Sequence, residues 1–165
     1  MANRHGLLSY ATDEQYALEQ LRAVHLEGTA FRFDRKEPPH ILVAHSDEVV
    51  IVAFRGTRID QFADILADIS FLPALTSDGL VRSGFHKALL AGGVWDAAKA
   101  HIDGILGEQV IQFTGHSLGA ALATIARRMY RDPQGRPLAL YTFGSPRVGD
   151  ELVFCGNYPP KGTAS

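Results

Sequence analysis

The pentapeptide Gly115-His116-Ser117-Leu118-Gly119 constrains this chain more than any other stretch. The run before it, Gln109–Thr114, is rich in β-branched and aromatic residues and predicts a buried strand. The run after it, Leu118–Arg131, has apolar residues recurring on one helical face and predicts a helix. A Gly-x-Ser-x-Gly sequence between a strand and a helix is typical of a nucleophile elbow.

The spacing of the two glycines has a physical reason. A serine at so sharp a turn is held in a strained conformation, and side chains two residues to either side of it would collide. The turn exposes the Ser117 hydroxyl and directs the first helical N–H groups to the place where an oxyanion would form. Ser117 is therefore the candidate nucleophile, and the alternative interpretation is an ordinary Gly/Ser turn.

Composition and charge restrict the other classes of function. The 165 residues are 46% hydrophobic and 21% charged, with a formal net charge of −2, which is typical of one globular domain and predicts no nucleic-acid partner. Cys155 is the only cysteine, so we expect no internal disulfide and no cysteine-rich zinc site. The sequence has no nucleotide-binding glycine motif and no His-Glu-x-x-His, and it predicts neither a cofactor nor a metal.

The N-terminal sequence bears on location. Its first ten residues lack the apolar run of a signal peptide, and no apolar run reaches the length of a membrane span. These features predict a cytoplasmic protein without a stable membrane anchor, and secretion of a longer form is left open.

The first part of the chain predicts one helix and two strands. The capping box that begins at Thr12 predicts a helix over Asp13–His25, with Ala17, Leu18, Leu21 and Val24 facing inward. A polar connection, Phe31–Pro39, follows. Ile41–His45 and Glu48–Phe54 then predict two strands joined by a short turn, and the second is apolar enough to be covered on both faces.

The segment Arg58–Ile69 is strongly amphipathic. Ile59, Phe62, Ile65, Leu66 and Ile69 fall on one side of a helix, and Asp60, Asp64 and Asp68 fall on the other. Three like charges in a row do not stabilise an isolated helix, so the apolar side needs a partner. That partner is either the body of the protein or a bound apolar substrate.

The remaining elements complete an α/β pattern. Ser70–Leu75 is predicted to be extended, Thr76–Gly79 a turn, and Phe85–Leu106 a long helix that Gly92-Gly93 weakens or bends. Pro137–Phe143 predicts another buried strand. Strands and helices that alternate with short loops favour a parallel α/β sheet.

Four blocks of sequence, in this order, resemble the class 3, fungal-type triacylglycerol lipases. They read VVIVAFRGT, VRSGFH, VIQFTGHSLGAALA and YTFGSPRVGD, and the resemblance covers about residues 41 to 150. It implies an α/β-hydrolase fold, with the domain predicted over residues 1–150. Residues 151–165 lack helical periodicity and include two prolines and two glycines in the last ten, which predicts an irregular tail. The fold is expected to be incomplete at its C-terminal end.

The resemblance also implies roles for individual residues. Ser117 matches the nucleophile, and Thr57 and Leu118 match the residues whose N–H groups form the oxyanion hole. His116 matches a structural histidine. The segment Arg58–Asp68 occupies the place of the family's mobile lid, so Ile59, Phe62, Ile65 and Leu66 are candidates for contact with substrate or with a lipid interface.

The chain departs from the family pattern after the elbow. The family's acidic residue and histidine base follow the serine in the sequence, yet the last histidine here is His116 and no D-x-V-P segment follows. The simplest interpretation is a truncated or frameshifted form of a longer lipase. Among the candidate replacements, His86 is the least implausible base, and Asp150 matches a family position that is not catalytic.

Two functions therefore stay open. The first is hydrolysis of fatty-acid esters such as acylglycerols through a serine acyl-enzyme, impaired because the acid and base are missing. The second is a catalytically silent lipase-like fragment that binds lipid or a protein partner.

Overall fold

The computed structural model describes residues 14–31, 39–56, 73–76 and 79–149. The secondary-structure elements in these residues are, in chain order, α1 (Glu14–Arg22), β1 (Glu27–Phe31), β2 (Ile41–His45), β3 (Val49–Phe54), β4 (Pro73–Thr76), β5 (Gly79–Arg82), α2 (Ser83–Leu90), a 3-10 turn (Ala91–Gly93), α3 (Val94–Gly104), β6 (Val110–His116), α4 (Leu118–Met129) and β7 (Leu138–Phe143).

A mixed five-stranded sheet in the order β1-β2-β3-β6-β7 organises these elements. β1, β2 and β3 pair antiparallel, whereas β3, β6 and β7 pair parallel. Phe54 lies opposite Gly115, and His116 lies opposite Phe143. The carboxyl ends of the three parallel strands therefore meet at one edge of the sheet, where open α/β sheets bind their ligands. β4 and β5 form a separate hairpin.

Both faces of the central strands are covered. On one face Phe54, Trp95, Phe113 and Tyr130 form an aromatic cluster, with ring centroids 5.7 to 6.3 Å apart. On the other face a smaller cluster joins α1 to β2 and β3 through Leu21, Leu42 and Ile51. The continuous apolar character of β3 is thus explained by burial on both sides, as its sequence predicts.

A buried polar network lies at the amino-terminal ends of the parallel strands, away from Ser117. Asp132 and Arg136 form an ion pair of 2.7 Å, and both side chains are only 2% exposed. Arg136 also donates hydrogen bonds to the carbonyls of Ile102 and Ile105, and the Tyr130 hydroxyl donates to Asp132 and Asp103. The network ties the loop after α3 to the loop after α4.

Several predictions of local structure are confirmed with shifted ends. The bend at Gly92-Gly93 separates α2 from α3, and both glycines have a positive φ, of 65° and 68°. The first helix ends at Arg22 instead of His25, because His25 adopts a φ of 60° that a right-handed helix cannot contain. Val24 is consequently 40% exposed, and its predicted inward orientation is wrong.

Three strands differ from their predictions, and the first is β5 (Gly79–Arg82), which the sequence prediction lacks. β1 is absent from the sequence prediction, since its five residues have little apolar alternation; pairing with β2 along its full length forms it. β7 is predicted to be buried, yet Leu140 and Tyr141 are 37% and 52% exposed. The reason is that β7 is the last strand of the described sheet and pairs there only with β6.

Candidate active site

Ser117 occupies the turn between β6 and α4 with an unusual backbone conformation. Its φ of 56° and ψ of −123° lie in a region that residues with a side chain seldom adopt. Its N–H donates a 2.9 Å hydrogen bond to the Phe143 carbonyl at the end of β7. Its own carbonyl accepts from the N–H groups of Ala120 and Ala121, at 3.0 and 3.3 Å. The strained turn is thus held from both sides.

The two glycines of the motif are required by contact. A Cβ atom on Gly115 would collide with the backbone of Gly119 and lie 2.8 Å from the Ala120 nitrogen. A Cβ atom on Gly119 would collide with the Phe54 carbonyl and lie 2.9 Å from the Gly56 nitrogen. Helix α4 therefore begins in direct backbone contact with the end of β3, as the elbow interpretation requires.

The surroundings of the turn suit the stabilisation of an oxyanion. Leu118 is the first residue of α4, and the first N–H groups of a helix have no partner within it and carry partial positive charge. The end of β3 lies against the same helix turn through Gly119. Gly56 is buried there and is the last described residue before Thr57.

Several predicted site residues lie outside the described residues. They are Thr57, the four lid candidates Ile59, Phe62, Ile65 and Leu66, and Asp150. The tail 151–165 also lies outside them, so the proposed domain boundary at residue 150 stays a prediction.

Four of the described histidines lie near the ends of the sheet strands, two at the carboxyl ends of β3, β6 and β7 and two at the opposite ends. His116 and His40 lie at the same edge as Ser117, the latter because its carbonyl accepts the Arg55 N–H just beyond β3. His45 and His101 lie at the opposite edge, where they line a cleft of about 540 Å³. Burial, followed by the nearby His45, lowers the pKa of His101. Neither of these two histidines is placed to act on Ser117.

His86 is half-buried on α2, which packs against α4. In the described part of the chain no hydrogen bond joins His86 to Ser117. As a candidate replacement for the missing base, His86 therefore gains no support from contact geometry.

Contacts from β7 are the part of the site that the sequence did not reveal. The Phe143 carbonyl holds the Ser117 N–H, and Gly144 follows it with a φ of 58°. The sequence signal for this contact is a glycine directly after an apolar strand, but the sequence does not say which strand lies beside the elbow.

The described ranges contain neither a cluster of metal ligands nor a membrane-spanning helix. There, no three His, Cys, Asp or Glu side chains converge on a position that suits a metal ion. No helix in those ranges has the length and apolar character needed to cross a bilayer.

A parallel β3-β6-β7 unit with a strained serine between strand and helix defines the α/β-hydrolase class. Comparison with solved structures agrees on the fold. The chain aligns with the mono- and diacylglycerol lipase of Aspergillus oryzae with a TM-score of 0.65 and 22% identity, covering 90% of this chain and 65% of that one.

Sequence comparison identifies the family. The family model described as lipase (class 3) matches residues 51–154. Secreted mono- and diacylglycerol lipase A of Penicillium cyclopium is 35% identical over 125 residues, or 69% of this chain and 38% of that protein. Secreted mono- and diacylglycerol lipase 1 of Fusarium solani is 37% identical over 84 residues, or 47% of this chain and 24% of that protein. The chain therefore belongs to the class 3 lipase family.

Two further facts follow from these relatives. The chain spans 38% of the length of the Penicillium relative and 24% of that of the Fusarium relative. Both relatives are secreted lipases, so the prediction of a cytoplasmic location is wrong.

Proposed function

We propose that this chain carries the nucleophile site of a serine carboxylic-ester hydrolase. The observation that supports it is the strained conformation of Ser117 at the N-terminus of α4, held by close backbone contacts at Gly115 and Gly119. A serine hydroxyl placed in this way is the nucleophile of the elbow motif.

In the proposed reaction of these residues the Ser117 Oγ attacks the ester carbonyl carbon and its proton passes to a water molecule, which takes the place of the missing histidine base. The N–H groups of Leu118 and Thr57 stabilise the oxyanion of the tetrahedral intermediate. The alcohol leaves with a proton as the acyl-enzyme forms, and water then releases the fatty acid and restores the serine hydroxyl.

The substrates we propose are acylglycerols, with mono- and diacylglycerols first. The names of the Penicillium and Fusarium relatives support this choice, and they also support action outside the cell. Interfacial contact through Ile59, Phe62, Ile65 and Leu66 belongs to the same proposal. It rests on the amphipathic sequence of that segment.

The proposal includes a low rate for these 165 residues. A neutral serine hydroxyl is a weak nucleophile without an adjacent base, and no histidine of this sequence follows Ser117. An elbow with its oxyanion hole but without its base retains roughly 10³-fold rate enhancement over water. We therefore expect weak esterase activity on activated esters.

The test is hydrolysis of p-nitrophenyl butyrate by the wild type and by Ser117→Ala. The wild type is expected to carry a butyryl group on Ser117 and to release p-nitrophenol faster than an equal concentration of the variant, which separates attack by the serine from the residual rate of the oxyanion hole. The matched control is Ser145→Ala, which removes an exposed serine from the loop after β7 and should keep the wild-type rate. Equal rates together with no butyryl group on Ser117 would contradict the enzyme and favour the lipid-binding alternative.

A further inference from the structure

The Ser117 N–H is held by a residue far away in the sequence. Its acceptor, the Phe143 carbonyl, is the last one of β7. In the described sheet β7 is an edge strand that pairs only with β6. The hydrogen bond therefore depends on how β7 ends.

The end of β7 is set by Gly144. Its φ of 58° turns the chain out of the strand immediately after Phe143. This left-handed conformation is routine for glycine and unfavourable for residues with a Cβ atom. The Phe143 carbonyl belongs to the peptide unit that precedes the Gly144 Cα, so a change in the φ of Gly144 is accompanied by rotation of that unit.

Space around Gly144 is not the constraint. A Cβ atom there would lie 3.5 Å from His116 Nε2 and 3.7 Å from His116 Cδ2, which is ordinary van der Waals contact. An alanine would fit beside the imidazole but would strain the backbone. The need for glycine at this position is therefore conformational.

We propose that Gly144 is a positioning residue for Ser117. Its left-handed backbone aims the Phe143 carbonyl at the Ser117 N–H and so helps to hold the nucleophile in its strained conformation. The link to reactivity rests on the proposed function, whereas the link to the hydrogen bond does not.

The test compares two glycines that share a backbone conformation. Gly135 has a φ of 73°, and a Cβ atom added to it would meet no other atom within 4 Å. It lies in the loop between α4 and β7, at the opposite edge of the sheet. Gly144→Ala and Gly135→Ala should therefore lower stability to a similar extent. Amide hydrogen exchange at Ser117 should be about tenfold faster in Gly144→Ala than in Gly135→Ala, because only Gly144→Ala disturbs the acceptor.

Gly144→Asn supplies the conservative variant, because asparagine tolerates the left-handed region better than alanine. Its exchange at Ser117 should lie between the wild type and Gly144→Ala. If Gly144→Ala does not fold, the same comparison is made between Gly144→Asn and Gly135→Asn. Ser117 exchange equal in the two members of the pair overturns the proposal.

Labelling by a fluorophosphonate separates this proposal from the proposed function. Faster exchange at Ser117 with slower labelling in the Gly144 variant supports both. Faster exchange in a protein whose wild type does not label supports positioning and contradicts the enzyme. Unchanged exchange with normal labelling contradicts positioning alone.

Discussion

Ser117 adopts a backbone conformation that costs about 1–3 kcal/mol for a residue with a side chain. Such a conformation persists only where contacts with the surrounding structure enforce it. Here the Phe143 carbonyl holds the Ser117 N–H, and the first turn of α4 holds the Ser117 carbonyl. The elbow therefore holds the Ser117 hydroxyl, the proposed nucleophile, on a strained backbone.

Gly119 provides a test of the close contact beneath the elbow. Gly119→Ala would drive a Cβ atom into the Phe54 carbonyl, so it should lower the free energy of unfolding by about 2 kcal/mol. Gly104→Ala is the matched control, since Gly104 is also helical but has no atom within 4 Å of a Cβ position. In urea unfolding, the free energy of unfolding of that variant should equal the wild-type value or exceed it by about 0.5 kcal/mol. Equal costs at the two positions would contradict the contact.

Arg136 connects the loop after α4 to the end of α3: it pairs with Asp132 in its own loop and donates hydrogen bonds to the carbonyls of Ile102 and Ile105. Burial by itself would raise the pKa of Asp132, but hydrogen bonds from Arg136 and Tyr130 outweigh it and lower the pKa to about 2. Burial, with hydrogen bonds to Asp103 and Asp132, raises the pKa of Tyr130, so its hydroxyl stays a donor. The network is therefore ionised at Asp132 and neutral at Tyr130 around neutral pH.

This network predicts a loss of stability in acid. Because the folded pKa of Asp132 lies below its ordinary value of 3.8, its contribution is present above about pH 4 and is lost as the pH falls towards 2. The loss should amount to about 2 kcal/mol in urea unfolding. Asp132→Asn should cost about 3 kcal/mol at about pH 6 and should show a flatter dependence between about pH 4 and 2. The same slope in both proteins would contradict this assignment.

The proposed lid predicts a separation between binding and reactivity. Ile65→Asp places a charge on the apolar side of the segment, so adsorption to diacylglycerol-containing vesicles should weaken by about tenfold. Reaction with a water-soluble fluorophosphonate should be unchanged. Asp64→Asn on the opposite side is the matched control and should adsorb at least as well as the wild type. Equal adsorption by Ile65→Asp and the wild type would contradict the proposal that this segment contacts the lipid interface.

The elements that the sequence predicted are those in which local pattern and tertiary contact agree. β3 is apolar throughout and buried on both faces, and α4 carries its apolar residues at helical spacing. β1 escaped prediction because its strand conformation comes from pairing with β2 and from Gly28, whose missing side chain lets Leu21 of α1 pack closely. Such pairing is a property of the assembled sheet.

In the described molecule, the groups that the motif requires lie together at the carboxyl ends of the parallel strands. The carboxyl ends of β3, β6 and β7 bring Phe54, Ser117 and Phe143 together, although the last lies 89 positions after the first (143 − 54). Ser117 and its flanking glycines were predictable because their spacing follows from local sterics. The contribution of Phe143 and Gly144 was not, because it depends on which strand lies beside β6.

Reaction of the native protein with a fluorophosphonate decides whether Ser117 is the nucleophile of a folded ester-hydrolase site. The reaction is followed by trypsin digestion and mass spectrometry, and the tryptic peptide 100–127 contains Ser117 as its only serine. We predict an adduct on that peptide in the native protein and none after denaturation in urea. An unmodified peptide 100–127, or labelling that is equal in the native and denatured protein, would contradict this role for Ser117.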